Sequence, residues 1–188
     1  KMALLAPSDD EYLKTGVFKL SKNRILWLLI LMISGTFTGK IIEGYEELLA
    51  GFIALTASMP MLMGTGGNAG SQVSTLIIRG LAVGEIEIKD YFKIIFKELR
   101  VASICGAMLA AANVLRMYLF CDGTLAEILV VSLAMFCAII VAKLIGCSLP
   151  IFAKIVKLDP ALMAGPMIAT LVDIVTLVIY FGLAKVFL

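Results

Sequence analysis

The sequence predicts an all-α, polytopic membrane protein with five transmembrane helices per subunit, the second and fifth broken or kinked by glycine and proline. Three observations carry this. Of 188 residues, 61% are hydrophobic, and the mean hydropathy is +1.04; soluble domains run at about 45–50% apolar. The apolar residues gather into five stretches long enough for a bilayer crossing, which takes about 20 residues. The basic residues also sort by side. Of the 16 Lys and Arg, twelve fall on the N-terminal side of those stretches: Lys14, Lys19, Lys22, Arg24, Arg79, Lys89, Lys93, Lys97, Arg100, Lys143, Lys154 and Lys157. Three fall on the other side, Lys40, Arg116 and Lys185, and Lys1 completes the set. The positive-inside rule then places the N-terminus in the cytoplasm and the C-terminus outside a cell (inner or plasma) membrane. Five spans with short loops use up the length, which leaves one membrane domain and no room for a soluble one.

Residues 1–23 read as an amphipathic lead-in or linker end at the membrane surface, where Leu13, Val17, Phe18 and Leu20 alternate with Lys14, Lys19 and Lys22. Residues 24–188 read as the transmembrane domain. The chain starts at Lys1 with no start Met and no signal-peptide pattern, so it reads as a fragment lacking its N-terminal part. Span 1 covers about 24–42, with Gly35 and Gly39 in GxxxG spacing. Lys40 can snorkel, and Glu43, Glu46 and Glu47 mark the exit into water.

Span 2, about 48–78, is longer than one crossing needs and contains PMLMGTGGNAGSQ at 60–72. Pro60 removes a helix hydrogen bond, and Gly64, Gly66, Gly67 and Gly70 lower helix stability. The expectation is open, non-helical backbone, which membrane depth tolerates only where it is buried in protein or lines a watery path. Residues 84–100 read as a charged amphipathic loop. Span 3 covers about 101–120, with Asn113 and Arg116 near its outer end, and Cys121-Asp-Gly-Thr124 makes a short turn. Span 4 covers about 125–149, with Lys143 snorkelling from near its inner end. Lys154, Lys157 and Asp159 form the last loop, and Asp159-Pro160 reads as a helix start.

Span 5, within 158–188, carries Asp173 near its middle. Thirteen helical residues from Pro160 place it roughly 20 Å deep. A carboxylate there costs about 2.5–3.5 kcal/mol on the mildest insertion scale, and Asp is too short to snorkel. It must face protein, water or an ion. Pro166, Ala169, Thr170, Asp173, Thr176 and Tyr180 recur at three- and four-residue steps as one polar-tinged stripe; Leu171, Ile174, Val175 and Val178 form the opposite face. The structural alternative is a neutral Asp173 bonded to a neighbouring helix.

Composition excludes several functions. The net charge of +2 is too small to point to nucleic acid. His is absent, which removes the commonest transition-metal ligand. The four Cys show no CxxC spacing and read as small packing residues. The remaining donors are oxygens: the Asp173 carboxylate, the Asn68 amide, the Thr65 and Thr170 hydroxyls, and freed carbonyls at 64–67 and at Ala169. Oxygen donors suit a hard cation, and paired Gly/Pro-interrupted spans point to a transport site. One carboxylate is thin for a divalent ion, so a homodimer supplying two is expected. Mg²⁺ gives up water reluctantly, so a wide site could hold it through its hydration shell.

The stretches PMLMGTGGNAGSQ (60–72), STLIIRGLA (74–82) and PMIATLVD (166–173) resemble the membrane domain of the MgtE-type magnesium channels and transporters. The likeness runs from about Lys22 onward. It implies a homodimer of five-span subunits in the lipid bilayer, with a pore between spans 2 and 5 at the interface. It implies hydrated Mg²⁺ as the bound and transported ion near Asp173, with backbone contributions at Gly64, Gly67 and Ala169, and other divalent cations as possible cargo. Asn68, Thr65, Ser71, Gln72, Pro166, Thr170 and Thr176 are the expected pore-lining residues. Full-length members carry N-terminal cytosolic domains that sense Mg²⁺. Two positions depart from the family pattern, Gly165 and Ser71, where Asn is frequent; they bear on ion selectivity more than on fold.

Three other readings differ in class. A proton- or sodium-coupled secondary transporter of another solute would depend on that gradient. An intramembrane aspartyl protease needs two carboxylates sharing a proton, and only Asp173 lies deep in a span, so the expectation is a protein that is not an enzyme. A structural or regulatory subunit would hold no ion at Asp173.

Overall fold

Helix-forming apolar runs, interrupted by short polar segments, give an all-helical chain among the described residues. The computed structural model describes residues 16–121, 123–160 and 165–188, without the side chains of Asn23, Leu26 and Trp27. The helices are α1 (Val17–Glu43), α2 (Glu46–Gly51), α3 (Ile53–Val83), α4 (Tyr91–Phe120), α5 (Leu125–Ile155) and α6 (Pro166–Phe187), with a 3₁₀ turn at Ile88–Asp90. By length and composition, α5 and α6 are apolar enough to cross a membrane.

Several boundaries differ from the sequence reading. Residues 1–15 of the lead-in lie outside the described residues, and from Val17 the chain is already in α1, which runs through the 23/24 boundary uninterrupted. Long span 2 does divide, but at Phe52 (φ −137, ψ 88), not at 60–72. The expected open backbone there is corrected to continuous helix from Ile53 to Val83. Pro60 stands on an exposed position of the helix, where only one carbonyl loses its partner. Gly66, Gly67 and Gly70 lie where a neighbouring helix comes close, whereas Gly64 lies on the open face. At those three, packing outweighs a low propensity of about 1 kcal/mol each.

The charged stretch 91–100, expected as loop, is the first third of α4. Lys93 pairs with Asp90 at 3.1 Å, and the Glu87 backbone N–H donates to the same carboxylate. The Lys93 bond, first, and then the Glu87 bond hold the Asp90 carboxyl below the ordinary carboxylate range. Thr124 and Glu127 form a capping box that starts α5: Thr124 Oγ1 accepts from the Glu127 N–H, and the Glu127 carboxylate accepts from the Thr124 N–H at 2.7 Å. Lys143 does not snorkel; it is 8% exposed, enclosed on the packed side of α5. The last helix starts at Pro166, after Gly165 at φ 53; Pro160 has 3₁₀ geometry of its own, and the residues that follow it lie outside the described ones. The left-handed φ of Gly165 suits glycine alone, and proline at the first helical position needs no N–H partner. Residues 161–164 lie outside the described residues.

Helices α3, α5 and α6 pack on one another, α4 packs along α5, and α1 leans chiefly on α6. One apolar cluster joins Leu55, Met59, Leu62, Met117, Ile128, Val131, Leu177, Tyr180 and Phe181. A second joins Val73, Ile77, Leu81, Cys147 and Ile151. Between them, Ala69, Ala142, Ile168 and Val172 make a thin layer of two alanines and two branched side chains. There the helices approach most closely. A methyl on Gly146 would run into the Gly70 carbonyl, and one on Gly70 would come 3.0 Å from the Ala142 oxygen and from Ile168 Cγ2. Close backbone approach of this kind supplies van der Waals contact where lipid removes the hydrophobic driving force.

Candidate functional site

The contact between α3 and α6 brings together residues about a hundred positions apart. A methyl on Gly67 would lie 3.4 Å from Ala169 Cβ and 3.8 Å from Asp173 Oδ1. Gly67, Ala169 and Asp173 therefore form one surface. Gly67 and Ala169 are small, so the Asp173 carboxyl is half-buried and not sealed in. One turn deeper into the contact, a methyl on Gly66 would sit 3.0 Å from Thr176 Oγ1 and 3.1 Å from Val172 Cγ1. Tyr180 is buried and donates its hydroxyl to the Leu55 carbonyl at 3.0 Å. This bond pins the two helices at the end of the contact.

Asp173 stands seven residues after Pro166, which is about 10 Å of helix. It is nearer the middle of α6 than its start, as the sequence reading has it, although α6 begins six residues later than Asp159-Pro160 suggests.

The other expected site residues separate onto different faces. Pro60, Gly64, Asn68 and Gln72 recur every four residues along the exposed face of α3, and Ser71 lies beside them. Asn68, Ser71, Gln72, Thr75 and Leu76 line one open hollow there. Gly64 meets nothing within 4 Å, so it adds room and no contact. Thr75 is absent from the sequence reading; its position four residues after Ser71 is the signal that could have found it. Its hydroxyl donates to the Ser71 carbonyl at 2.9 Å.

Three expected lining residues lie on other faces. Thr65 turns towards α4 and shares a groove with Leu109, Asn113 and Arg116, because it sits about 100° round the helix from Gly64. Thr170 faces α1, in a hollow with Ile30, Ser34, Phe37 and Ile174, and its hydroxyl donates to the Pro166 carbonyl at 2.9 Å. Thr176 is 2% exposed and packs on Gly66. The polar stripe of α6 is thus split: Ala169, Asp173, Thr176 and Tyr180 face α3, Thr170 faces α1, and Pro166 is exposed.

The arrangement offers one half-buried carboxylate packed beside Gly67 and Ala169, and a row of neutral oxygen donors on another face of α3. Among the described residues, no three His, Cys, Asp or Glu converge to enclose a metal ion. Such a surface suits a cation that keeps its own water, since hydration supplies the ligands the side chains lack.

Residues 59–183 match the family model MgtE, described as divalent cation transporter. A protein called magnesium transporter MgtE from Thermus thermophilus is 35% identical over 188 residues, covering 100% of this chain and 41% of its own length. The magnesium transporter MgtE of Bacillus subtilis is 33% identical over 97% of this chain and 40% of its own. That of Enterococcus faecalis is 30% identical over 98% and 40%. The chain spans about two fifths of the length of the curated relatives it matches.

Proposed function

The chain belongs to the MgtE family of divalent cation transporters, and on that premise we propose that it is the membrane part of a magnesium transporter in which hydrated Mg²⁺ passes Asp173. Helices α1, α3, α4, α5 and α6 are the five spans. The N-terminus is cytoplasmic and the C-terminus is outside. The whole protein works as a homodimer, with the exposed face of α3 and the Asp173 edge of α6 turned towards the partner copy. The ion travels between those faces, and N-terminal cytosolic domains regulate it.

One observation carries the reading: the Gly67–Ala169–Asp173 contact, which sets a half-buried carboxylate against small residues of the helix that also bears Asn68, Ser71 and Gln72 around an open hollow. The charge attracts the dication. The small residues leave space for its water shell, and the amide and hydroxyl oxygens accept hydrogen bonds from that water. Gly67 and Ala169 act through size and through their backbone, and two copies of Asp173 offset the +2 charge that one copy cannot.

The test is divalent flux into liposomes by wild type and Asp173→Asn at matched protein. Asn keeps shape but removes the charge, so flux and Mg²⁺ affinity should fall at least tenfold. Equal flux would mean that Asp173 is a hydrogen-bonding group only. Native mass measurement in lipid discs tests the dimer, and a conducting monomer would remove the two-copy site.

A further inference from the structure

Arg116 is the one charged side chain in a groove of about 320 Å³ between α3 and α4, lined otherwise by Met61, Thr65, Leu109, Ala112, Asn113 and Met135. Its guanidinium does not stretch out to water. Nε and Nη2 both donate to Asn113 Oδ1, at 3.1 and 3.0 Å, and Nη1 reaches Cys121 Sγ at 3.8 Å. Asn113 is itself fixed, because its amide donates to Ser132 Oγ on α5 at 2.9 Å and to Met117 Sδ at 3.5 Å. No carboxylate among the described residues pairs with Arg116. The network uses three of the five guanidinium N–H groups on neutral acceptors and leaves two, with the full positive charge, beyond the bonds made among the described residues.

The depth is specific. Arg116 lies four residues before the end of α4 at Phe120, about 6 Å along the axis. That is the boundary between headgroup and acyl chain for a helix whose end meets the surface. Below and beside it, α4 exposes Met108, Leu109 and Leu115, and beyond it Tyr118 and Leu119. A held cation above an apolar surface is complementary to one kind of molecule, an anionic amphiphile. A guanidinium at that boundary reaches the headgroup layer, and Arg matches phosphate oxygens through its planar fork.

We propose that the α3–α4 groove binds an anionic phospholipid, with the lipid phosphate on Arg116 and an acyl chain along Leu109 and Ala112. Asn113 and Ser132 position the guanidinium. The site is separate from Asp173, because Thr65 and Met61 face this groove while Gly67 faces α6.

The experiment is native mass spectrometry of the full chain released from neutral detergent with phosphatidylglycerol, phosphatidylcholine or inorganic phosphate added. Wild type should retain phosphatidylglycerol at least about tenfold better than phosphatidylcholine, and inorganic phosphate should not displace it. Arg116→Gln should abolish that preference while lipid-independent melting stays near wild type. If Arg116→Gln fails to fold, Ala112→Phe replaces it: the ring fills the groove, keeps the Arg116–Asn113 bonds, and should expel the lipid. Retention of phosphatidylglycerol by the folded variant at the wild-type level overturns the proposal. So does displacement by inorganic phosphate, which would make the site a free-anion site. Loss of the dimer with lipid retention unchanged would assign the groove to a second copy of the chain and overturn it as well.

Discussion

Replacing Gly67 separates the geometry of the α3–α6 contact from the backbone-freedom argument that its sequence context suggests. Gly67 is helical, so a side chain meets no dihedral penalty there. What matters is space. A Cβ would lie 3.4 Å from Ala169 Cβ and 3.8 Å from Asp173 Oδ1, both ordinary contacts. Gly67→Ala should therefore fold as well as wild type or better, since alanine gains up to about 1 kcal/mol of helix propensity over glycine. Valine adds two carbons about 1.5 Å beyond Cβ on a side chain with one preferred helical rotamer. At least one of them must press on Ala169 or on the Asp173 carboxyl. Overpacking of this kind costs about 1–3 kcal/mol. If that strain falls on the ion step, it corresponds to a loss of about 5- to 150-fold in flux. The assay is Mg²⁺ flux into liposomes per folded protein, with thermal melting in detergent alongside. The expected order is wild type near Ala, with Val far below in flux and lower in melting temperature. Wild-type flux and melting in Gly67→Val would show that α3 and α6 do not meet at this point, and the placement of Asp173 beside Gly67 would fall with it.

Three further perturbations test the packing and the topology. Gly146→Ala forces backbone apart, because its methyl meets the Gly70 carbonyl and not a flexible side-chain end. It should destabilise by about 1–3 kcal/mol, read as a lower melting midpoint, and an unchanged midpoint would contradict the close α3–α5 approach. Tyr180→Phe removes the bond to the Leu55 carbonyl and should cost about 0.5–1.5 kcal/mol, measured by the same melt; no loss would mean the hydroxyl finds an equal partner elsewhere. In a Cys-free background, Lys93→Cys should label only from the cytoplasmic side and Glu46→Cys only from outside, and the reverse pattern would invert the topology.

Much of the helical content was legible because its causes are local. Apolar runs, the start at Leu125 and the end at Phe120 depend on neighbours in the chain, and the Thr124–Glu127 capping box was there to be found by spacing. The family motif picked out Gly67, Ala169 and Asp173, which the structure brings into contact. Local rules misjudged residues 60–72. Glycine and proline oppose a helix in isolation, yet Gly66, Gly67 and Gly70 favour it once α5 and α6 press against them. Nothing in the sequence states which neighbour will arrive.

By itself the sequence determined an all-helical chain rich in apolar residues, one carboxylate among them on the last helix, and oxygen donors as the available ligands. Only the tertiary structure decided which polar residues share a surface. It joined Gly67 to Asp173, turned Thr65 towards α4 and Thr170 towards α1, buried Thr176 on Gly66, and tied Arg116 to Asn113. The reason is geometric. Helical periodicity fixes the angle between residues of one helix, but the facing partner of each angle is set by how closely two helices can approach. That closeness depends on small residues on both helices at once.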